Sequence, residues 1–537
     1  MWKVTVFLSV VWSVSLLYGE MLSFWVPPLW SCSWPRLPRS DDHDVEMNRV
    51  GYLADHMKVA VLADPQLMDK TSHGLAPKSL ALEISQFYTD LFMRRSYLAS
   101  ILPFQPDLIL FLGDYFDGGP LLSDEEWQES LVRFKHISDL NHRRRNSNIQ
   151  VHYLSGNHDI GYSGFHSHRP EIISRYEDTF GARNYRFTVG GVEFIAIDAQ
   201  TLDGPLQGNL TSESWSFLRN VSMEVRSNPK VLLTHIPLYR PDGTHCGPHR
   251  SSPVINQRVS RSIYDQGIMY QNYLTEETSS HLLDLIKPVL VLSGHDHDQC
   301  SITHQSIYGP VREQTVGTLS WQQGNLYPSF MLLSASTLAF SNTTNLKDAV
   351  STQLCFLPMQ THIYIWYLSL FVSTLLVLLL WPTNGLNFGR HYSCLMEAIR
   401  RAISSNNFSS GTKEKNEDEN CEYEMIWDAE GSMHLVKKAV KVQFSSSSDM
   451  GFVGRGNLAV RPTAKKHISQ EIEASIAVDV NSDDRLDATG KLPARSNKSK
   501  TKMVIQRLVR TFLLLMVIGA VNVPLYMMLL FKDWIDQ

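Results

Sequence analysis

The run Leu108-Ile109-Leu110-Phe111-Leu112-Gly113-Asp114-Tyr115-Phe116-Asp117-Gly118-Gly119 decides the fold. Its apolar half, closed by a Gly-Asp turn, reads as a buried β-strand whose carboxyl end delivers acidic side chains. The same grammar recurs along the chain. Ala63-Asp64-Pro65-Gln66-Leu67 closes the run Val59–Ala63, and Ser155-Gly156-Asn157-His158-Asp159 closes Val151–Leu154. Thr234-His235-Ile236-Pro237 closes Val231–Thr234, and Gly294-His295-Asp296-His297-Asp298 closes Val289–Leu292. Each strand end carries Asp, Gln, Asn or His, the side chains that hold divalent metals.

Between these runs the text turns helical. Leu80–Leu102, Asp124–Leu140, Glu171–Phe180, Ser212–Arg226 and Glu276–Ile286 carry apolar residues at helical spacing. Phe194–Ile197 is a further strand, and Tyr185–Asp198 contains Gly190-Gly191 between two strand-like halves, a hairpin signal. The alternation predicts an α/β domain over residues 57–340 with its site at the carboxyl ends of the strands. A polar, Gly- and Pro-bearing insertion over residues 240–275 interrupts the rhythm directly after His235. Loops of that length in a compact domain are usually functional or disordered.

The chain has 537 residues, more than one domain usually needs, so a core with appendages is expected. Its net charge of −5 gives no reason to invoke a nucleic-acid partner. Three segments concern a membrane. Residues 363–381 carry no charge, and residues 509–531 carry only Arg510 and little else that is polar. Both approach the roughly 20 residues that cross a bilayer as a helix. Residues 1–34 combine a shorter apolar stretch with a Trp- and Pro-rich tail. They read as a signal peptide or an uncleaved anchor, the latter favoured because Leu17-Tyr18-Gly19 is a poor cleavage site.

Arg390, Arg400, Arg401, Lys491, Arg495, Lys498, Lys500, Lys502 and Arg507 flank or occupy the loop at 383–508. The positive-inside rule puts that loop in the cytosol and the preceding domain in a lumen. The loop is rich in Ser, Asn, Asp and Lys and is expected to be mostly disordered. Sequons at Asn209, Asn220 and Asn342 fall on the lumenal side and are candidate glycosylation sites. Six cysteines are too few for a disulfide scaffold. Cys246 and Cys300 each closely follow a motif, and read either as a bridge beside the site or as two separate buried thiols.

Hard divalent cations take carboxylate and amide oxygens, while borderline ones also accept imidazole. Two such ions roughly 3.5–4 Å apart clamp a phosphate and activate a water for in-line attack. A pair of that kind needs one carboxylate between the ions and separate ligands on either side, and the strand ends supply that inventory. A lone Gly-Asn-His-Asp arises by chance; an ordered series of motifs, each ending a strand, does not.

The order D-x-(H/Q), GD-x-x-D, GNH(D/E), H, GH-x-H resembles the calcineurin-like metallophosphoesterases over about residues 57–300. The resemblance implies a four-layer αββα sandwich with a binuclear site. It implies that Asp64 and Gln66 bind one metal with His297, that Asp114 bridges, and that Asn157, His235 and His295 bind the second. His158 would stabilise the phosphoryl oxygens and protonate the leaving alkoxide, with Asp159 as its orienting partner. Gln66 stands where many members carry His, a harder ligand that favours Mn²⁺ or Mg²⁺ over softer ions. Asp117 stands where purple acid phosphatases carry a tyrosine, so an Fe³⁺-tyrosinate site is not expected.

Together with the flanking spans, the motifs look like the membrane branch of the family that remodels glycosylphosphatidylinositol anchors. That branch includes fungal cell-division-control proteins and the mammalian post-attachment phosphoesterase. The resemblance implies two Mn²⁺ ions and removal of ethanolamine phosphate from a glycan mannose of the anchor glycolipid or of anchored proteins. It implies a lumenal catalytic domain in the endoplasmic reticulum or Golgi, supporting export between them. The cytosolic loop is longer than the branch leads one to expect, and the C-terminal Asp533-Trp534-Ile535-Asp536-Gln537 lacks a dilysine retrieval signal. Within the insertion His245, His249 and Arg250, together with Asp117, are candidate substrate contacts; a solvated basic loop is the plainer alternative. Two other functions remain open from the residues alone: hydrolysis of a small diffusible phosphate ester, and a trafficking scaffold. A scaffold would be expected to lose ligands or the proton donor, and here every position is filled.

Overall fold

Alternation along one strand sets the layering of the catalytic domain. In the computed structural model β1 (Met57–Leu62) turns Val59 and Val61 toward Val192, Phe194, Val231 and Leu233. Its Ala60 and Leu62 turn the other way, toward Phe92, Trp127, Phe134 and Tyr176. Those residues belong to helices α3 (Leu80–Arg95), α4 (Asp124–Ile137) and α5 (Pro170–Phe180). A strand apolar on both faces needs a partner layer on each, and this one has a second sheet on one side and helices on the other.

The first sheet runs β13-β12-β1-β2-β3, with β2 (Leu108–Phe111) and β3 (Gln150–Tyr153) parallel to β1. β12 (Ser329–Ala335) and β13 (Val350–Phe356) join antiparallel. The second sheet runs β10-β11-β9-β6-β5-β4. Within it β5 (Val192–Ile197), β6 (Lys230–Thr234) and β9 (Leu290–Ser293) are parallel neighbours, and β11 (Gly309–Thr315) continues the parallel set. β4 (Tyr185–Val189) and β10 (Cys300–Ser306) close the edges as antiparallel hairpins. Beyond the second sheet, Ile195, Leu232 and Val291 pack on Trp215 and Leu218 of α6 (Asn209–Met223) and Leu282 and Leu283 of α7 (Glu276–Ile286). The result is the four-layer αββα arrangement.

Local chemistry fixes several boundaries. Ser123 accepts from the Glu126 amide while the Glu126 side chain caps Ser123, a reciprocal box that starts α4. Thr275 does the same service one way for α7. α3 stops as a regular helix at Arg95 and widens into a π-turn over Ser96–Ile101. The first sheet also reaches past residue 340, because β13 pairs along its whole length with β12. Its sequence opens on the polar run Ser351-Thr352-Gln353 before Leu354-Cys355-Phe356, which an edge strand tolerates and a buried one does not.

Among the described residues three helices are long and apolar enough to cross a membrane: Trp2–Ser31, Gln360–Leu380 and Thr501–Trp534. The first contains α1 (Trp2–Leu17), a π-turn over Tyr18–Leu22 and α2 (Ser23–Ser31); the others are α8 (Gln360–Leu380) and α9 (Lys500–Trp534). They meet through Leu8, Leu378 and Ile518 and through polar links that suit helices in lipid. Ser13 donates to Asn522 Oδ1 at 2.8 Å, and Trp12 Nε1 donates to Thr374 Oγ1 at 3.0 Å. The catalytic domain is tied to them by Arg95, which reaches Glu20 at 2.5 Å, Asp533 at 3.2 Å and the Leu529 carbonyl at 2.7 Å. A disulfide joins Cys32, just past α2, to Cys355 of β13.

The structure describes residues 2–37, 56–139, 149–166, 169–205, 208–224, 228–252, 255–264, 266–336, 346–381, 422–427, 433–438 and 500–535. Met1–Trp381 with Ser499–Gln537 form one unit, and Pro382–Lys498 form another. Among its described residues the second unit holds a two-stranded antiparallel ribbon, β14 (Glu422–Trp427) with β15 (Met433–Lys438). Asn342 and the rest of the loop expected at 383–508 before residue 500 lie outside the described residues. Asn209 and Asn220 are both exposed on α6.

Candidate metal and catalytic centre

Strand ends from both sheets converge. β1 delivers Asp64 and Gln66, β2 Asp114, β3 Asn157 and His158, β6 His235, and β9 His295 and His297. The loops that carry them are in unusual backbone conformations. Asp64, Gln66, Asp114, His295 and His297 all adopt positive φ, between +39° and +66°. A non-glycine residue held there costs roughly 1–3 kcal/mol and persists only where its surroundings overdetermine it. Here main-chain bonds stitch the loops together: Asp64 N–H to Gly113 O at 3.2 Å, Gln66 N–H to Asp114 O at 2.9 Å, and Gly294 N–H to His235 O at 3.0 Å.

Two glycines let the loops approach. Gly113 sits at φ +101°, and a Cβ on it would lie 2.7 Å from His235 Nδ1 and 2.8 Å from the Gly156 amide. A Cβ on Gly156 would lie 2.1 Å from Asp114 Oδ1. Any side chain at either position pushes ligand-bearing loops apart.

Two donor groups result. Ligand atoms of Asp114, His235 and His295 lie within 4.8 Å of one another, as do those of Asp64, Asp114 and His297. Asp114 is common to both. Asn157 Oδ1 stands 3.1 Å from His235 Nε2, and the Gln66 amide 3.0 Å from Asp114 Oδ2. All the residues expected as ligands are therefore in one place.

The imidazoles are preset for ligation. His235 donates from Nδ1 to the Leu112 carbonyl at 2.7 Å, which leaves Nε2 as the lone-pair nitrogen facing Asp114 and Asn157. His295 donates from Nε2 to the Gln271 carbonyl at 3.0 Å, and its buried Nδ1 meets no partner among the described residues. An orphaned imidazole nitrogen beside a carboxylate is what a metal would satisfy. A mixed carboxylate, carboxamide and imidazole set fits two divalent cations of the hard-to-borderline class.

Electrostatics without metal show how much charge is packed here. Burial, only partly countered by His235, pushes Asp64 up to about 8. Burial would raise Asp114 as well, but His235 and His158 outweigh it and hold Asp114 far below the usual carboxylate range. In return Asp114 overcomes the burial of His235 and lifts it to about 9. Burial, reinforced by His235, drops His295 to about 3, and burial drops His297 to about 4. One carboxylate thus stays charged beside a protonated His235, while Asp64, His295 and His297 are held neutral, and added cations replace the protons in that arrangement.

His158 and Asp159 divide their labour differently from expectation. Asp159 does not orient His158. Its carboxylate accepts the amides of Asp114, Tyr115 and Gly156, each at 2.8 Å, and so clamps the Asp114 loop to the Asn157 loop. The reason is local: Asp159 is the third residue of a short helical turn begun by Asn157, which folds its side chain back over that turn's own amino end. The partner of His158 is Asp117. His158 Nδ1 bonds the Asp117 carbonyl and lies 3.8 Å from the Asp117 carboxylate. Burial is outweighed by Asp114 and by Asp117, so His158 titrates above an ordinary imidazole. Its side chain is 36% exposed, the half-open position a proton donor to substrate needs.

Residues that no motif pointed to support this frame. Asp117 accepts from Ser72 at 2.6 Å, and Asp69 accepts the Gly118 amide at 2.7 Å. Thr318 donates its hydroxyl to the Asp64 carbonyl at 2.6 Å. Arg240, fully buried, bonds Asp296 between the two histidines of β9's loop at 2.9 Å. The only sequence signal for Arg240 is its place a few residues after His235.

The insertion is ordered against the site rather than loose. Cys246 and Cys300 are joined by a disulfide, and β7 (Val259–Arg261) pairs with β8 (Ile268–Gln271). Arg250 forms a two-pronged pair with Asp296 at 2.6 and 2.9 Å, so its charge is consumed within the protein. The His249 ring lies 4.6 Å from that of Phe356, and His245 is exposed. None of the three lies among the metal-ligand groups, whereas Asp117 touches His158.

Two donor groups sharing one carboxylate suit a metal-dependent phosphoesterase, and the chain belongs to the calcineurin-like phosphoesterase family, whose profile matches residues 57–299. It is similar to Metallophosphoesterase 1 of Cricetulus griseus, at 30% identity over 51% of this chain and 68% of that one. Similarity to Metallophosphoesterase 1 of Rattus norvegicus is 28%, over 70% of this chain and 88% of the relative. Similarity to Cell division control protein 1 of Saccharomyces cerevisiae is 30%, over 58% of this chain and just 64% of the yeast protein. The chain is a metallophosphoesterase.

Proposed function

We propose that the chain is a membrane-bound phosphodiesterase that uses two Mn²⁺ ions to remove ethanolamine phosphate from a glycan mannose of glycosylphosphatidylinositol. Its catalytic domain faces the lumen of the endoplasmic reticulum or Golgi, and its substrates are anchored proteins or the free glycolipid. The observation that carries this reading is the union of the phosphoesterase centre and three bilayer-length helices in one compact unit. Such a union holds the centre beside a bilayer and raises its effective concentration for a lipid-attached substrate. The two disulfides suit an oxidising lumen.

Bound in the two donor groups, divalent ions would supply charge neutralisation at the phosphoryl oxygens and an activated water. The protein does the rest. His158, oriented through Nδ1 by Asp117, presents Nε2 as the proton donor to the leaving mannose oxygen. Asp159 fixes the spacing of the loops that carry Asp114 and Asn157. The test is incubation of the purified full-length protein with synthetic mannose-linked ethanolamine phosphate, with and without Mn²⁺. Metal-dependent release of ethanolamine phosphate is expected; an inert mixture that still cleaves simple phosphodiesters would overturn the substrate assignment.

A further inference from the structure

A cavity of about 470 Å³ opens where the catalytic domain meets the membrane helices. Ile84 and Tyr88 of α3 line it from one side, and Tyr364 and Tyr367 of α8 with Tyr526 of α9 line it from the other. The volume lies within the range typical of small-ligand sites, roughly 300–1,000 Å³. Most of the lining hydroxyls are engaged within the protein. Tyr526 donates to the Tyr88 hydroxyl at 3.1 Å, Tyr367 to Glu20 at 3.0 Å and Thr89 to the Ser85 carbonyl at 2.7 Å. Gln322 gives its amide N–H to the Gln66 carbonyl at 3.0 Å. What the cavity offers a ligand is therefore mainly ring surface and the side chains of Ile84 and Met68.

The α3 side continues into an uncovered apolar face. Leu80, Ile84 and Tyr88 recur every four residues and share one side of the helix, and Arg95 lies on that side too. Tyr88 and Arg95 meet α9, through the Tyr526 hydroxyl and through Asp533. Leu80 and Ile84 carry the same face on toward the start of α3, where they are 71% and 48% exposed. An exposed apolar face in line with bilayer-length helices suits the lipid boundary rather than water. Ile84 and His73 are the exposed residues of the cavity lining, so its rim opens beside that face.

Water is a poor occupant, because a buried water needs about two to four polar partners and most of those here are engaged. An empty cavity forfeits dispersion contacts along its lining. Hydrocarbon restores them, and a bilayer around α8 and α9 supplies it at the rim. We propose that the cavity takes one acyl chain of a bilayer phospholipid. The inference rests on the bilayer-length helices and not on the proposed substrate. It makes a lipid part of the joint between the catalytic domain and its anchor, in contact with Met68, two residues after Gln66.

The test is photolabelling of the full-length protein in phosphatidylcholine vesicles holding a trace of phosphatidylcholine with a diazirine on one acyl chain. Adducts are mapped by mass spectrometry. Met68 and Trp321 lie outside the membrane helices, so adducts on them report the cavity. Adducts on Trp366 and Phe371, 54% and 46% exposed on α8, report lipid around the helices. Ile84→Trp and Ser85→Phe each fill the cavity from α3. Wild-type protein is expected to carry both kinds of adduct. Both variants should lose the cavity adducts at least fivefold, keep those on Trp366 and Phe371, and hydrolyse a bis-aryl phosphate within twofold of wild type. Absence of cavity adducts in wild type with Trp366 labelled would overturn the site, as would equal cavity labelling in wild type and both variants. Loss of label only in step with loss of hydrolysis would overturn it as well, since unfolding would explain both. Cavity labelling by a photoactivatable glycosylphosphatidylinositol but not by phosphatidylcholine would also overturn it, and would give the cavity to the substrate.

Discussion

The Nδ1–H of His158 is donated to the main-chain carbonyl of Asp117, whose own carboxylate lies 3.8 Å from the same ring nitrogen. A carbonyl can only accept, so this bond fixes the imidazole tautomer and leaves Nε2 for substrate. The carboxylate is in turn anchored by Ser72 at 2.6 Å. In the proposed mechanism Asp117 positions His158, the proton donor.

Asp117→Asn should leave the carbonyl bond in place and remove the charge. At saturating Mn²⁺ we expect kcat to fall about tenfold with KM little changed, since a group that acts on the leaving-group proton matters mainly in the transition state. His158 is raised by Asp114 and by Asp117. A donor works while protonated, so activity declines as pH rises through the pKa that His158 has in the metal-loaded protein. Without the Asp117 charge the declining limb should move to lower pH. A pH–kcat profile with an unmoved limb would remove Asp117 from this role.

Truncating the donor itself makes a second, sharper distinction. His158→Ala should cost about 10²–10⁴-fold with an alkyl leaving group such as a sugar alkoxide. It should cost far less with p-nitrophenolate, which leaves without a proton. Parallel kinetics on the two substrates decide the matter: equal losses would make His158 a binding residue rather than an acid.

The metal-stripped protein should be sensitive to alkaline pH. Asp64 at about 8, Asp159 at about 7 and His235 at about 9 all hold protons that the unfolded chain has released. Groups with raised folded values stabilise below their unfolded values and lose that stabilisation as pH climbs through the folded ones. His295 and His297, at about 3 and 4, act oppositely, but both states are neutral there above about 6.5. Between pH 6.5 and 9 the apo-protein should therefore lose stability, by up to about 1.4 kcal/mol per pH unit for each retained proton. Metal binding displaces those protons, so the loaded protein should show a flat profile. Thermal midpoints with EDTA and with Mn²⁺ across that range check both halves.

How far the sequence could be read follows from where the information lies. The ligands were legible because each ends an apolar strand, and strand ends converge at one edge of an α/β sandwich. The roles of Asp117 and Asp159 were not. Both are acids in a motif loop, and which of them meets His158 depends on a helical turn that folds Asp159 back onto the amides of Gly156 and Asp114. β13 escaped because an edge strand with Ser351, Thr352 and Gln353 in succession resembles a loop in composition. Its tie to Cys32 spans 323 residues, a separation that no local pattern reports. Arg250 reads as a substrate contact because a guanidinium near a metal motif suits phosphate oxygens; in the structure it pairs with Asp296 of that same motif, a long-range contact that no local pattern reports.

Arg250 provides the last test, because its two readings predict different observables. The insertion and the loop carrying His295 and His297 are joined by the Cys246–Cys300 disulfide, by Arg240 and Arg250 on Asp296, and by the Ser251 and Ser252 amides on Asp298. Those bonds hold His295 and His297 at φ +66° and +59°, where an unsupported loop would relax. Arg250→Ala leaves Asp296 to Arg240 and the Tyr273 hydroxyl and should cost about 1–3 kcal/mol. Double Cys246→Ser and Cys300→Ser replacement should cost about 2–4 kcal/mol, as expected of a bridge closing a loop of 54 residues. Both changes should lower metal content after dialysis and raise the Mn²⁺ concentration needed for half-maximal activity. Once metal is saturating, KM for substrate should return to the wild-type value. A KM that stays elevated at saturating Mn²⁺ in Arg250→Ala, with metal content unchanged, would make Arg250 a substrate contact after all.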